Sequence, residues 1–449
     1  MPNIPYCDPD ACVRAGCDPV VCTGRGVPSN TTLFERSKSA IPGGVNSSIR
    51  AFKAVGGSPY IVARANGAWI EDVEGRSYVD LVQSYGAVIL GHAHPAVTEA
   101  LRKAAGDGTS YGAPTPREMK LAEAIAARVP SCERVRFMNS GTEATSTAVR
   151  LARGATGRSR VVIFNGNFHG ATDALLAAGG SGVATLGLPG TAGVPAEAVA
   201  NTIVAPYNQV PDLDDSVAAV IVEPVAANMG VVAPAPGFLA GLRAACDRVG
   251  ALLVFDEVIT GLRLGSSGAQ GRFDVRPDLT CFGKVIGGGL PIGALGGRRD
   301  VMENLSPLGS VFHAGTLAGN PMATAAGLAA IDQLDADAYT EIERRASRLQ
   351  GILDAVASST GLPIRTSRIG TLVGVYLGDG LAAGALPSNF DEAKTTDERL
   401  YAKVFHALLE SGVAMAPGAY EALFVGLGHD DAVMDELERR VERALSSLV

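Results

Sequence analysis

Asp256 and Lys284 stand 28 positions apart, each at the end of a short apolar run. Residues 251–255, Ala-Leu-Leu-Val-Phe, read as a buried strand that delivers the Asp256 carboxylate to its carboxyl end. Residues 279–283, Leu-Thr-Cys-Phe-Gly, read as a second strand that delivers the Lys284 amine just before the glycines 287–289. A buried acid and a buried lysine presented together suit pyridoxal 5'-phosphate. The amine forms a Schiff base with the cofactor, and the carboxylate pairs with the pyridinium nitrogen so that the ring acts as an electron sink. Taken singly, Asp256 reads equally as a turn cap and Lys284 as a solvated charge.

A third element supplies the anion site such a cofactor requires. Residues 134–138 read as a strand, and Asn139-Ser140-Gly141-Thr142-Glu143-Ala144 follows and opens a helical run. Strand, small polar turn and helix N-terminus gather free N–H groups and the positive end of the helix dipole at one point. Ser140, Gly141 and Thr142 are therefore the candidate phosphate ligands. Serine and threonine there also serve as plain N-caps, so the combination with Asp256 and Lys284 carries the reading.

With these residues on the page, the chain resembles the class III aminotransferases, fold-type I pyridoxal phosphate enzymes, over roughly residues 31–449. Further support comes from Ile41-Pro42-Gly43-Gly44-Val45-Asn46-Ser47, Ile89-Leu90-Gly91-His92, Glu223-Pro224-Val225, Ala314-Gly315-Thr316-Leu317 and Gly319-Asn320-Pro321. Within the family it is most similar to the aminomutases, which exchange an amino group between two carbons of one substrate. The resemblance implies that Phe168 stacks on the cofactor ring, Val258 presses the opposite face and Glu223 steadies the ring's hydroxyl side. It implies that Thr316 reaches the phosphate in a neighbouring subunit, hence a homodimer with shared active sites, and that the pyridoxamine 5'-phosphate form takes part in the cycle.

For the substrate, a small amino or oxo acid, the resemblance places Arg50 on the carboxylate, which a guanidinium grips with two hydrogen bonds. Ser47 and Asn228 are polar neighbours. Glu421 guards the mouth and opposes a carboxylate beside the reacting carbon. The Gly- and Ala-rich stretch between Ala177 and Val194, which carries Ser181, corresponds to a lid over the site. Several positions depart from the aminomutase pattern: Tyr85 stands for Trp, Phe168 for Tyr, Ala171 for the second His of a His-Gly-His, and His313 for Gln. These keep open a second reading, an aminotransferase acting on another ω- or β-amino acid.

The elements that must position these residues follow from the pattern. Short apolar strands at 134–138, 160–164, 217–222, 251–255, 279–282 and 292–296 alternate with helical runs at 117–127, 143–153, 237–249 and 321–334. Such alternation predicts an α/β fold with a mostly parallel central sheet covered by helices, with ligands at the carboxyl ends of its strands. The reading divides the chain into a cysteine-rich tail (1–30), an N-terminal segment of a small domain (31–95), a large cofactor-binding domain (96–336) and a C-terminal small α+β domain (337–449).

The chain has 449 residues, 47% of them hydrophobic, enough for more than one core. Net charge is −8 with both signs dispersed, which argues against a nucleic-acid surface. No run of about 18 apolar residues predicts a membrane span, and the opening residues lack the pattern of a secretory signal; the expectation is a cytoplasmic protein. Cys7, Cys12, Cys17 and Cys22 recur at a spacing of five. Four thiolates suit zinc or an iron–sulfur cluster, yet zinc sites usually pair cysteines more closely. The expectation is no metal and a mobile or partner-bound tail. Cys132, Cys246 and Cys281 read as buried thiols.

Overall fold

In the computed structural model, residues 28–177, 191–380 and 384–449 are described. The four tail cysteines, Ser181 and nearly all of the expected lid lie outside them. A strand that is apolar at every position must be covered on both faces. The fold places such strands in the middle of one sheet, where Val217–Val222 and Leu252–Asp256 are buried throughout.

In chain order, the N-terminal segment contributes β1 (Val62–Asn66), β2 (Trp69–Asp72) and β3 (Ser77–Asp80). The central part contributes β4 (Arg134–Met138), β5 (Arg160–Phe164), β6 (Thr202–Ala205), β7 (Val217–Val222), β8 (Leu252–Asp256), β9 (Leu279–Phe282) and β10 (Gly293–Gly297). The C-terminal part adds β11 (Ile364–Ile369), β12 (Leu372–Leu377), β13 (Val413–Ala414) and β14 (Leu423–Phe424). The seven central strands form one sheet in the order β4-β10-β9-β8-β7-β5-β6. β5 to β9 are mutually parallel, and β10 alone runs antiparallel to its neighbours β9 and β4. The carboxyl ends of β4, β8 and β9 therefore point the same way.

Helix α1 (Gly141–Thr156) follows β4 directly. Ala144, Ala148, Leu151 and Ala152 on one stripe are buried, the 3.6-residue spacing that packs a helix onto a sheet. It stops at Gly157, whose φ of 69° gives the left-handed C-cap that glycine adopts without strain. α2 (Pro321–Ile331) is buried on nearly every side, consistent with its uncharged, alanine-rich sequence.

The two ends of the chain meet. β13 pairs in parallel with β3, closing a sheet ordered β1-β2-β3-β13, and β11-β12-β14 form an antiparallel sheet beside α3 (Ala336–Thr360). One hydrophobic cluster runs from Phe52 and Val79 through Leu349 to Leu445 in α4 (Asp431–Ser446). Among the described residues no helix is long and apolar enough to cross a membrane.

The central strands expected from sequence occur within one residue of their expected bounds. The sequence pattern does not place β1, β3, β6 or β13 individually. β6 lies at a sheet edge with Ile203 and Val204 exposed, so its short apolar run carries no burial pattern. β1 is exposed along almost its whole length, and its pairing with β2 across Gly67 defines it.

Candidate active site

A cavity of about 430 Å³ lies over the carboxyl ends of the central strands. Its walls include Asn139, Ser140, Gly141 and Thr142 after β4, Phe168 after β5, and Glu223 after β7. Asp256 and Val258 come from the end of β8, and Lys284 from just beyond β9. Asn228, Ser84 and Ala87 also line the cavity.

Asp256 is 5% exposed. One carboxylate oxygen lies 2.8 Å from Nδ1 of His169 and the other accepts from the Val258 N–H at 3.1 Å. His169 is itself buried, so the pair is held in a fixed orientation away from solvent. An ionised carboxylate can only accept, which assigns the shared proton to Nδ1. No direct hydrogen bond joins Asp256 to Lys284.

Lys284 follows an extended glycine and sits in the left-handed region, with φ of 48°. For a residue with a Cβ that conformation costs about 1–2 kcal/mol, a strain typical of functional positions. Desolvation in the cavity pulls the ammonium below the ordinary lysine value, and Arg263 adds to that pull. Asp256, Glu421 and Glu223 oppose it.

The turn after β4 is held from both sides. Ser140 is the N-cap of α1 and its Oγ accepts from the Glu143 N–H at 3.2 Å. Glu143 reaches back to accept from the Asn139 N–H at 2.8 Å. The N–H groups of Gly141 and Thr142, in the first turn of a helix, have no intrahelical acceptor. Two glycines permit the close approach of three segments. A Cβ on Gly141 would meet Val258 Cγ2 at 2.9 Å, and one on Gly170, where φ is +83°, would meet Thr142 Cα at 2.8 Å.

Glu223 is buried, and its carboxylate accepts from the N–H groups of Phe168 at 2.6 Å and Ala227 at 3.0 Å. Burial pushes its pKa up to about 7, with His169 and the Phe168 N–H pulling the other way. Phe168 stays 37% exposed although its neighbours are buried. An anion cradle, a fixed acid, an amine, and an aromatic and a branched apolar side chain share one cavity. That donor set fits pyridoxal phosphate.

The remaining expected residues, Ser47, Arg50, Tyr85, Glu421 and Thr316, do not line this cavity. Arg50 is exposed in the turn Ser48–Ala51, with Ser47 capping it. Tyr85 and Glu421 are half-buried. Burial, then Glu421, pushes the Tyr85 hydroxyl well above its usual range, and Arg50 pulls it down. These three side chains therefore form an electrostatic neighbourhood, and Glu421 extends it to Lys284. Thr316 is exposed and lines a separate cavity of about 300 Å³ with Tyr111, Glu118 and Asn320. Among the described residues no group of His, Cys, Asp or Glu is arranged to hold a metal.

Sequence reasoning gave no role to His169, Glu143 or Arg263. The Ser140-x-x-Glu143 spacing is a capping-box signal that identifies Glu143. Nothing local identifies the other two.

A profile of the family Aminotransferase class-III matches residues 52–440. The chain is 48% identical over 427 residues to a glutamate-1-semialdehyde 2,1-aminomutase of Bordetella avium (strain 197N), covering 93% of this chain and 99% of that one. Among solved structures it is similar to an omega-transaminase from Sphaerobacter thermophilus (TM-score 0.83, 31% identity, 93% and 97% coverage). It is also similar to a lysine-to-alanine variant of a glutamate-1-semialdehyde-aminomutase from Pseudomonas aeruginosa PAO1 in complex with PMP (TM-score 0.82, 27% identity, 94% of both chains).

Proposed function

The chain belongs to the class-III aminotransferase family, and from that premise we propose that it is a pyridoxal phosphate-dependent aminomutase converting glutamate-1-semialdehyde to 5-aminolevulinate. The single observation that carries the reading is the likeness at 48% identity over 93% of the chain to an aminomutase of that name. The residues that line the cavity support the reading. When bound, pyridoxal phosphate supplies an electron sink that stabilises negative charge at the substrate carbon.

In this reading Ser140, Gly141 and Thr142 bind the phosphate, and Phe168 and Val258 flank the ring. Asp256, steadied by His169, holds the proton on the pyridine nitrogen. Glu223 keeps the wall on the ring's hydroxyl side in place through two backbone N–H groups. Lys284 would hold the cofactor through its side-chain amine. Desolvation lowers its pKa, which favours Nζ as the general acid and base that moves protons at the substrate carbon. Arg50 grips the distant carboxylate, with Ser47 and Asn228 beside it. Glu421 and Tyr85 occupy the space a second carboxylate would need. Because the nitrogen leaving one carbon is balanced by the nitrogen arriving at the next, no external amino donor is consumed.

A homodimer with shared sites is part of the proposal. It is supported by the exposure of Thr316 beside exposed Phe312 and Leu317 on the same loop and Leu308 nearby. We also place the enzyme in the cytoplasm, where the free thiols of Cys132, Cys246 and Cys281 stay reduced.

The test is incubation of purified protein, loaded with cofactor, with glutamate-1-semialdehyde alone. Formation of 5-aminolevulinate without an added donor supports the proposal. The likeness to an omega-transaminase at 31% identity favours a second reading, an aminotransferase acting on another omega- or beta-amino acid. Turnover of such an amine with a keto acid, and none of the semialdehyde, would establish that instead.

A further inference from the structure

Arg263 is the largest fully buried side chain of the molecule among the described residues, and no carboxylate pairs with it there. Taking an arginine out of water without a counter-ion costs several kcal/mol. The cost is visible in its pKa, which desolvation pulls down to about 9. Arg345 offers the contrast. It donates to the neighbouring Gly426 carbonyl but also pairs with Glu341. Arg263 spends its donors differently: Nη2 donates to the Gly86 carbonyl at 2.7 Å and Nη1 to the Val425 carbonyl at 3.2 Å. Its guanidinium carbon lies 5.1 Å from the centre of the Phe424 ring, and Nε has no partner.

The two carbonyls belong to the two segments that bear substrate-side residues. Gly86 follows Tyr85, and Val425 ends the run that begins at Glu421. The first segment is strained: Gln83, Ser84, Tyr85 and Gly86 have φ of 48°, 51°, 55° and 92°. Three consecutive non-glycine residues in the left-handed region do not hold that shape unaided. At Gly86 a Cβ would meet the Phe424 ring at 2.7 Å and Arg263 Nε at 3.3 Å, so backbone, guanidinium and ring are already in contact there.

We infer that Arg263 is a positioning residue: one buried guanidinium holds the backbones that carry Tyr85 and Glu421 and so sets the separation of these two groups across the substrate side of the cavity. The clamp itself follows from the geometry, and its effect on turnover rests on the proposed aminomutase reading.

The test compares the holoenzyme with Arg263→Met and Arg263→Lys. Amide exchange is followed at Ala87 and Val88, whose N–H groups bond back to Ser84 and Gln83, and in β8 as an internal reference. In Arg263→Met, protection at Ala87 and Val88 should fall by roughly tenfold or more, the scale of one lost charge-assisted hydrogen bond, with β8 unchanged. KM for the semialdehyde should rise by a similar factor while the visible cofactor spectrum is retained. Arg263→Lys, which keeps a charged donor, should recover part of both.

Equal loss of protection in β8 and at Ala87, or an unchanged KM in a folded Met variant, would overturn the inference. If Arg263→Met does not fold, Arg263→Lys decides: an unchanged KM and unchanged local exchange overturn it. If the wild-type protein does not convert the semialdehyde, the proposed function fails. The exchange comparison, which uses no substrate, then still decides the clamp.

Discussion

Asp256, Lys284 and the Ser140 turn stand at the ends of buried strands of one sheet, whereas Arg50, Tyr85 and Glu421 stand on short turns from the N- and C-terminal segments. In the first region the groups around Lys284 are anchored: Asp256 by His169 and the Val258 N–H, Glu223 by two N–H groups, Ser140 by the helix it caps. In the second, the backbone runs through left-handed conformations at Gln83–Gly86, and Arg50 faces solvent. A sheet holds several groups rigidly against a common ligand, while turns allow substrate-side groups to differ without disturbing the sheet. The difference predicts that changes in the first region act on the rate of chemistry and changes in the second on substrate affinity.

The largest effect should come from Lys284→Ala. Loss of its proton transfers should lower kcat by roughly 10³–10⁴, the upper range for general acid–base groups, with cofactor still bound at the Ser140 turn. A near-normal kcat would remove the centre of the first region. Asp256→Asn keeps the shape but not the charge, and should lower kcat by roughly 10² with KM little changed. A loss confined to KM would break the division of labour.

Arg50→Ala should act the other way, raising KM by roughly tenfold to thirtyfold at constant kcat. That lies at or below the low end of the roughly 2–5 kcal/mol expected for a desolvated charge contact, because Arg50 is exposed and screened. A fall in kcat without a change in KM would place Arg50 with the chemistry.

The smallest effect sharpens the boundary between the regions. Cofactor uptake by the apoprotein requires the neutral Lys284 amine, so its rate rises with pH through the Lys284 pKa. Glu421, Glu223 and Asp256 hold that pKa up and Arg263 holds it down. Glu421→Gln removes one upward influence. The pKa then falls further, and the rising limb should move to lower pH, by less than about one unit for a single partly exposed charge. Arg50→Ala should leave the limb in place. A shift to higher pH in Glu421→Gln would show that Glu421 does not act on Lys284 through its charge.

Local pattern determined the sheet and the residues at its strand ends. Runs such as 217–222 and 251–255 are apolar without interruption, and only an interior strand of a helix-covered sheet buries both faces. Asp256, Lys284 and the polar turn at Ser140 break such runs, so their places at the carboxyl ends could be read directly. The helix start at Gly141 was legible for the same local reason, a serine cap three residues before a glutamate.

Contacts between distant segments were decided only in three dimensions. His169 meets Asp256 across 87 positions of chain, and a histidine after a strand looks the same whether buried or solvated. The left-handed run at Gln83–Gly86 includes three residues whose types do not demand it. Arg263 carries the most hydrophilic of side chains into the interior, because two carbonyls from opposite ends of the chain and the Phe424 ring converge there. Burial and backbone strain are imposed by the whole packing arrangement, and no window of sequence contains the partners that impose them.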